Sequence, residues 1–302
     1  MTQGTPVLTV IGSYPVQIDR LQIMDTYFQK LSLPSWKPFI KQAVEQMVES
    51  GVRLVSDGQT RDPFMTIFTR GFNGCQVRER TEVIEPIRFT QPVTLSDLEF
   101  VRSILSDDTL LIGLLVGPYT LSQSVVDHVY LDEKELAFAF AEALKKEAEH
   151  IQPVVDMISV DEPFFANIFP EYAPELIDTV LTNISCPTRL HACGDVTGIV
   201  SSLLDLPVDV LSHEFTATPS LFDSFAEYPN EKKQICLGSV RSDQERIESV
   251  EEIVDHISHG FDLFGDHLVQ IAPDCGLRLL PPHSAFMKLK RLDEAIKVAY
   301  HE

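Results

Sequence analysis

The sequence predicts an α/β protein with the (β/α)8 TIM-barrel fold, and three observations lead to this prediction. Eight short apolar segments recur along the chain, most of them continuous runs typical of parallel strands buried on both faces. Helical patterns lie between them, which indicates that strands and helices alternate. Eight such units fit a length of 302 residues, so a closed barrel is favoured over an open doubly wound sheet.

The predicted strands can be read in order along the chain. They are VLTVIGS (7–13), VRLVSDGQ (52–59), TLLIGLLVG (109–117), DMISVDEP (156–163), TRLHACGD (188–195), VDVLSHEF (208–215), KQICLGSVR (233–241) and LVQIAPDCG (268–276). The stretch 70–97 interrupts this succession of strands and helices. Its polar and apolar residues alternate, which predicts a β-hairpin excursion between the second and third strands. Because no low-complexity linker and no further repeat is visible, we expect residues 1–302 to form a single domain.

The clearest helices have recognisable boundaries. Their patterns cover residues 36–50, 135–151, 250–264 and 284–300. Gly51 follows the first pattern, as a glycine often follows the end of a helix. Asp132 with Glu135, and Ser249 with Glu252, have the spacing of a capping box before the second and third patterns.

Charge and hydropathy exclude several classes of protein. The formal net charge is −21, which disfavours binding to nucleic acid and to anionic membranes. No apolar run is long enough to span a bilayer, and the first residues lack the basic flank and cleavage site of a signal peptide. We therefore expect a cytoplasmic protein without nucleic-acid or membrane partners.

Polar and reactive residues stand at the ends of nearly all predicted strands. They are Ser13, Asp57, Gln59, Asp161, Glu162, His191, Cys193, His213, Glu214, Arg241, Asp274 and Cys275. In a parallel barrel these strand ends surround one mouth, where barrel enzymes carry out their chemistry. The pattern therefore predicts an enzyme.

Four of these residues form a candidate metal site. His191 and Cys193 are two residues apart on one strand, so their side chains point to the same side. Glu214 and Cys275 end later strands. Two thiols, an imidazole and a carboxylate make a soft tetrahedral set that suits zinc. A His-x-Cys pair alone is more often a pair of ordinary buried residues, so the prediction depends on all four lying at strand ends.

The remaining cysteines are interpreted as ordinary small apolar residues. Cys75 lies in the excursion, and Cys186 and Cys236 lie before or within strands. An odd number of widely spaced cysteines in a chain of this length does not indicate a disulfide framework.

The sequence leaves two interpretations open for several other residues. Asp161-Glu162-Pro163 is either a substrate site or an ordinary turn. Asp195 either orients a metal ligand or caps a helix, and His213 either orients a metal ligand or packs in the interior, in preference to acting as a fifth ligand. Arg61 and Arg241 either meet an anionic substrate or form ion pairs. The segment GFNG (71–74) suits a mobile lid over the mouth, and a plain loop equally well.

These motifs resemble the C-terminal catalytic barrel of cobalamin-independent methionine synthase over nearly the whole chain. The resemblance is carried by VIGSYP (10–15), SDGQTR (56–61), SVDEP (159–163), LHACGD (190–195), HEF (213–215) and PDCGLRLLP (273–281). It implies a zinc-dependent transfer of a methyl group to the thiol of L-homocysteine, which forms methionine.

The resemblance also implies roles for individual residues. His191, Cys193, Glu214 and Cys275 match the family's zinc ligands. Asp161 matches an acid at the catalytic site that holds the amino group of homocysteine. Gly12 and Ser13 match the turn that receives the substrate carboxylate, and Gln59 stands where the family carries a Glu that shares the ammonium.

The methyl donor is the point at which the sequence departs from the folate-using enzymes. Those enzymes resemble two tandem barrels, whereas this chain has one, and near Arg241 they carry a His that serves as an acid for the folate leaving group. Single-barrel relatives in archaea are associated with methyl-corrinoid donors. A corrinoid needs no proton on departure, so we expect methylcobalamin or a methylated corrinoid protein as the donor partner.

Three alternatives remain open from the sequence. The donor is methyltetrahydrofolate, the acceptor is another thiol such as coenzyme M, or the chain is a non-catalytic zinc-binding barrel. An acid at position 161 favours an amino-acid thiol, because coenzyme M has no ammonium group.

Overall fold

A computed structural model of the chain describes residues 4–17, 36–61, 64–77, 79–228 and 233–301. Its strands are β1 (Val7–Leu8), β2 (Leu54–Val55), β3 (Asn73–Val77), β4 (Thr81–Arg88), β5 (Leu110–Val116), β6 (Val126–Asp127), β7 (Met157–Asp161), β8 (Thr188–His191), β9 (Val210–His213), β10 (Gln234–Gly238) and β11 (Leu268–Ala272). Its α-helices are α1 (Lys37–Glu49), α2 (Phe64–Gly71), α3 (Leu95–Ile104), α4 (Pro118–Gln123), α5 (Glu133–Ile151), α6 (Ala173–Leu181), α7 (Val200–Leu204), α8 (Ser220–Ala226), α9 (Val250–Phe264) and α10 (Pro282–His301).

Eight strands form the predicted parallel barrel. Their order is β1-β11-β10-β9-β8-β7-β5-β2, with parallel pairing throughout. A parallel bridge between Thr9 and Leu54 joins the two ends, and the Thr9 hydroxyl donates to the Leu54 carbonyl at 2.9 Å. Each of the eight predicted segments contains one barrel strand, which confirms the (β/α)8 fold class.

Two strands are shorter than the sequence predicts. The predicted segments 7–13 and 52–59 contain strands of only two residues, at Val7–Leu8 and Leu54–Val55. Beyond them the chain leaves the ladder: the Ser56 hydroxyl donates to the Gly12 carbonyl at 2.8 Å, and Tyr14 N–H donates to the Gly58 carbonyl at 3.0 Å. These bonds between loops form part of the mouth instead of extending the sheet.

The hairpin excursion is confirmed, with one addition. β3 and β4 pair antiparallel between the second and third barrel strands, as predicted. The short strand β6 adds to β4 in parallel and makes a three-stranded sheet. Gly74 has a φ of +96°, and an added Cβ would lie 2.5 Å from the Glu85 carbonyl oxygen, so the close approach of the two strands requires glycine there.

Helix ends follow the predicted signals. The Ser249 hydroxyl accepts from Glu252 N–H while the Glu252 carboxylate accepts from Ser249 N–H, which confirms the capping box of α9. Asp132 accepts from Glu135 N–H at 2.9 Å and caps α5. Gly51 follows α1 with a φ of +101°. No helix of the described residues is both long and apolar enough to cross a membrane.

Apolar side chains divide into two clusters because strand residues alternate in direction. The larger cluster joins the strands to the helices outside the barrel. The smaller cluster draws on barrel strands and their extensions: Ile11, Leu54, Ile112, Leu114, Met157, Val210, Cys236 and Ala272. On β5, Leu111 and Leu115 belong to the first cluster and Ile112 and Leu114 to the second, so the second fills the barrel interior.

Candidate active site

A cavity of about 340 Å³ lies at the carboxyl ends of the barrel strands. Its lining residues are Ile11, Gly12, Ser13, Gln59, Asp161, Pro163, His191, Cys193, Cys275, Gly276, Arg278 and Leu279. Seven of the eight residues predicted to bind zinc or substrate line this one cavity, and the eighth, Glu214, lies beside it. The apolar wall and the few converging polar groups are typical of a small-molecule site.

Three potential metal ligands meet on one side of the cavity. His191 Nε2 lies 2.9 Å from Cys193 Sγ, and Cys193 Sγ lies 2.8 Å from Cys275 Sγ. The three ligand atoms all lie within 4.8 Å of one another. His191 Nδ1 is 3.1 Å from the Ser212 hydroxyl, which leaves Nε2 to face the sulfurs.

Glu214 stands at the edge of this cluster. Its Oε2 accepts a hydrogen bond at 2.9 Å from the backbone N–H of Gly194, the residue after Cys193. The left-handed φ of Gly194, +84°, turns the chain toward that carboxylate. Burial raises the pKa of Glu214, and the charge of Asp243 raises it further.

The electrostatics of the cluster fit a divalent cation. The hydrogen bond with Cys275, burial and neighbouring negative charges raise the pKa of the Cys193 thiol well above its usual range. Burial and the nearby charge of Arg189 lower the pKa of His191, so its ring is neutral and able to ligate. A cation between these atoms removes the penalty on the thiolates. Two sulfurs and one imidazole nitrogen fit zinc better than they fit magnesium or calcium.

Asp161 places a buried carboxyl group in the same cavity. It ends β7, is 5% exposed, and lies in register with His191 on β8. Burial raises its pKa to about 7, while the charge of Arg189 and a hydrogen bond from Ser159 act in the opposite direction. A carboxylate in such a place suits a positively charged ligand group, because a buried charge needs a partner.

Another part of the cavity wall is formed by two loops in close contact, one with Gly12 and Ser13 and the other with Gly276. An added Cβ on Gly12 would lie 3.1 Å from the Gln59 side chain, and one on Gly276 would lie 2.4 Å from Ser13 Oγ. Leu277 N–H donates to the Ser13 carbonyl at 2.8 Å and fixes the two loops together. The two glycines therefore let these loops meet at the cavity.

Gln59 presents a polar group without a partner to this cavity. Its Nε2 is buried and has no hydrogen-bond partner in the part of the chain that is described. The residue has a φ of +46°, in the left-handed region that non-glycine residues rarely adopt. Asp57 accepts from its N–H at 3.0 Å and Arg278 donates to its carbonyl at 2.6 Å, and these bonds hold the strained conformation.

Several strand-end residues turn out to be structural. Glu162 is fully buried and accepts from the N–H groups of Tyr119 and Thr120 at the start of α4. Asp195 accepts from the backbone and the hydroxyl of Thr197, just before the helical turn Thr197–Ile199, which favours a local structural role over the orientation of a metal ligand. His213 packs in the interior with Nδ1 3.2 Å from the Ala192 carbonyl.

The arginines at the mouth form ion pairs. Arg61 lies 3.1 Å from an Asp97 oxygen and donates to the Val93 carbonyl. Arg241 donates to both carboxylate oxygens of Asp243, at 2.8 and 2.6 Å. The structure therefore favours ion pairing over a free anion-binding role for both.

Some residues of the site were not singled out from the sequence. Arg278 and the 93%-exposed Leu279 line the cavity, and both belong to the PDCGLRLLP motif. Ser159 and Arg189 lie below the cavity, each two residues before a predicted site residue on its strand. The sequence signal that could have identified them is a polar residue two positions before a predicted site residue in an otherwise apolar strand, because residues two apart face the same side.

A parallel barrel with a reactive cavity at the carboxyl ends of its strands defines a barrel enzyme. Residues 6–298 match the family described as cobalamin-independent synthase, catalytic domain. The methionine synthase of Methanocaldococcus jannaschii is 33% identical over 313 residues, which cover 97% of this chain and 99% of the relative. That of Methanothermobacter marburgensis is 30% identical over 305 residues, covering 96% and 98%.

Solved structures share the fold. The B12-independent methionine synthase from Shewanella sp. W3-18-1, in complex with selenomethionine, has a TM-score of 0.82 at 20% identity and covers 98% of both chains. A methyltransferase from Methanosarcina mazei has a TM-score of 0.71 at 16% identity, covering 98% of this chain and 94% of that one. The chain belongs to the catalytic-domain family of the cobalamin-independent synthases, and it is a methyltransferase.

Proposed function

We propose that the protein transfers a methyl group to the thiol of L-homocysteine and forms methionine, with zinc held by His191, Cys193, Glu214 and Cys275. The observation that carries the proposal is the meeting of two different sites in one cavity. A cluster of soft ligands for a thiol-binding metal shares the cavity with the buried carboxyl group of Asp161. An amino-acid thiol is the class of molecule that needs both.

The protein's own residues would bind the amino-acid end of the substrate. Asp161 accepts hydrogen bonds from the ammonium group, and the Ser13 turn with its glycine neighbours receives the carboxylate. The unpartnered Gln59 amide contributes a further polar contact at the same end. These contacts direct the thiol toward His191, Cys193 and Cys275.

When bound, the metal would supply one element of the chemistry: its positive charge would stabilise the thiolate form of the substrate at neutral pH, with the thiol proton released to solvent. His191 is held by Ser212, and Glu214 by Gly194 N–H, so the ligands are oriented before substrate binds. The sulfur of homocysteine then attacks the methyl carbon of the donor. A carbon–sulfur bond forms as the bond between the methyl group and the donor breaks, and the donor keeps that electron pair.

We infer a methyl-corrinoid donor, either methylcobalamin or a methylated corrinoid protein. The relatives from Methanocaldococcus and Methanothermobacter match this chain over nearly their whole length, which supports a single-barrel enzyme. Arg241, near which the folate-using enzymes carry a proton-donating His, is paired with Asp243 in this chain. A corrinoid leaves without taking up a proton. This donor therefore suits a site in which no histidine is assigned to protonate the leaving group.

The test is a methyl-transfer assay on zinc-loaded protein with L-homocysteine. Methylcobalamin is offered in one reaction, and methyltetrahydrofolate with one or several glutamates in others. We expect methionine from methylcobalamin alone; methionine from the folate only would overturn the inferred donor. Zinc bound without product from any donor would point to another thiol, such as coenzyme M, or to a non-catalytic barrel.

A matched pair of cysteine variants tests the metal. Cys275→Ser should lose bound zinc and turnover, because it removes one of two sulfur ligands. Cys186→Ser changes a half-buried cysteine outside the cavity and should retain one zinc per chain. Elemental analysis of both proteins after gel filtration measures the zinc, and equal zinc content would contradict the ligand assignment.

A further inference from the structure

Arg189 is an arginine side chain that is completely buried inside the barrel. It extends from β8 across the interior and is bound by groups from four other parts of the barrel wall. Its guanidinium donates to Ser159 Oγ at 3.2 Å, Gln270 Oε1 at 3.3 Å and the Val10 carbonyl at 3.0 Å, and it lies 4.0 Å from Cys236 Sγ. All these partners are neutral.

A guanidinium in this position needs a compensating negative charge. Removing such a cation from water costs several kcal/mol unless it is paired. Among the described residues no carboxylate lies within 4.0 Å of Arg189, so it has no direct ion pair. Asp161 is the carboxyl group that responds to its charge, and Ser159 connects the two.

The connection has a fixed direction. Arg189 Nε–H donates to the Ser159 hydroxyl, and that hydroxyl donates to Asp161 Oδ1 at 2.9 Å. Because arginine only donates, the serine hydrogen must point toward Asp161. Asp161 Oδ1 is thereby engaged from below, and the other oxygen is left for the cavity.

Strand register places the two pairs in layers. Ser159 on β7 is opposite Arg189 on β8, and Asp161 is opposite His191 one layer nearer the mouth. Residues two apart on a strand face the same side, so all four point into the barrel. The lower layer thus supports the two groups that meet the amino and thiol ends of the proposed substrate.

We propose that Arg189 and Ser159 are positioning residues that orient the Asp161 carboxylate for recognition of the substrate's amino group. This inference rests on the proposed function and extends it below the cavity. Neither residue touches the substrate; both act through Asp161. The specific consequence is that selectivity for a thiol carrying an ammonium group depends on Ser159 and Arg189.

The test compares two ligands that differ only in the amino group. Calorimetry on zinc-loaded protein measures the dissociation constants of L-homocysteine and of γ-mercaptobutyrate, its des-amino analogue. Ser159→Ala should weaken homocysteine binding by about tenfold, the typical effect of losing a hydrogen bond to a charged group, and leave the analogue unchanged. Ser50→Ala, another buried serine far from the cavity, should change neither constant.

Two arginine variants separate charge from shape. Arg189→Met should lose the preference for the amino group as Ser159→Ala does, whereas Arg189→Lys should keep part of it because it retains the charge. If Arg189→Met does not fold, Ser159→Ala decides alone. A ratio of the two constants that stays at the wild-type value in Ser159→Ala, with zinc content unchanged, overturns the inference.

Failure of the proposed function has a different signature. If wild-type protein binds homocysteine and its des-amino analogue equally, or if Asp161→Asn leaves their ratio unchanged, amino-group recognition at Asp161 is wrong, and the inference falls with it. If Asp161→Asn abolishes the preference while Ser159→Ala and Arg189→Met retain it, only the role of the lower layer is refuted.

Discussion

Gly276 follows the predicted ligand Cys275 and lies in close contact with the turn at Ser13, which also lines the cavity. An added Cβ would lie 2.4 Å from Ser13 Oγ, well inside the contact distance of two such atoms. Because Leu277 N–H is bonded to the Ser13 carbonyl, the two loops cannot simply separate. The smallest possible side chain at this position must therefore move Ser13.

We predict that Gly276→Ala weakens L-homocysteine binding by roughly tenfold or more, since sub-ångström placement of binding groups is at stake. Titration calorimetry on zinc-loaded protein measures the effect. Gly198→Ala is the matched control, because no atom lies within 4 Å of a Cβ added there. An unchanged dissociation constant in Gly276→Ala would remove the Ser13 turn from the proposed carboxylate site.

Strands β7 and β8 illustrate what an individual element contributes. Each carries two inward polar residues in an apolar sequence: Ser159 and Asp161 on one, Arg189 and His191 on the other. The sequence identifies Asp161 and His191 as candidates because they stand at strand ends. It does not reveal that Arg189 crosses the barrel, because the reach of a long side chain depends on which strands close around it.

Helix α9 is joined to β10 by a histidine with an unusual environment. His256 Nε2 lies 2.9 Å from the Gly238 carbonyl, and burial lowers the pKa of His256 from 6.5 to about 4. The folded protein therefore keeps this ring neutral where the unfolded chain takes up a proton. Its contribution to stability is complete above pH 6.5 and decreases as the pH falls from 6.5 toward 4.

We predict that His256→Gln reduces the acid sensitivity of folding while retaining a donor to Gly238. Between pH 6.5 and pH 5.5 the wild type should lose about 1 kcal/mol more unfolding free energy than the variant. Urea unfolding at both pH values measures this difference, and carboxyl groups common to both proteins cancel in it. His283→Gln, which changes an exposed histidine near the start of α10, should keep the wild-type pH dependence.

Closure of the whole barrel depends on its shortest strands. β1 and β2 have two residues each, and Thr9 forms both the bridge to Leu54 and a side-chain hydrogen bond to its carbonyl. Arg53 N–H adds one bond to the Leu8 carbonyl at 3.0 Å. Few backbone hydrogen bonds join the β1 and β2 ends of the sheet, a junction that we call the seam. The hydrogen bond from the Thr9 hydroxyl is therefore a substantial part of barrel closure.

We predict that Thr9→Val lowers the free energy of unfolding by about 1 kcal/mol, because it leaves the buried Leu54 carbonyl with one partner fewer. Chemical denaturation followed by circular dichroism measures it. Thr179→Val, which removes a partly exposed hydroxyl bonded within α6, should cost less. Equal losses in both variants would argue against a special role for the seam.

The barrel as a whole could be predicted from sequence, and its closure could not. All eight strand segments and the hairpin were visible because buried parallel strands are continuous apolar runs. The same patterns overestimated β1 and β2, because the residues that follow these strands, including Gly12 and Ser56, bond across the mouth and do not extend the sheet. Seven predicted site residues line one cavity because the carboxyl ends of parallel strands lie at the same end of a barrel. Glu214 does not line it, and its carboxylate accepts a hydrogen bond from Gly194 N–H beside the cavity.

The buried arginine also closes the barrel from beneath. Arg189 spans the interior from β8 to Gln270 on β11 and to the Val10 carbonyl, one layer below Asp161. In the part of the chain that the structure describes, Arg189 therefore forms part of the cavity floor, and both reactants of the proposed transfer would approach from the mouth at the strand ends. A donor as large as the proposed corrinoid would cover that mouth, so the amino acid would bind before the donor and methionine would leave after it. For the proposed function, this floor predicts ordered addition and release, in which the first reactant to bind is the source of the last product to leave.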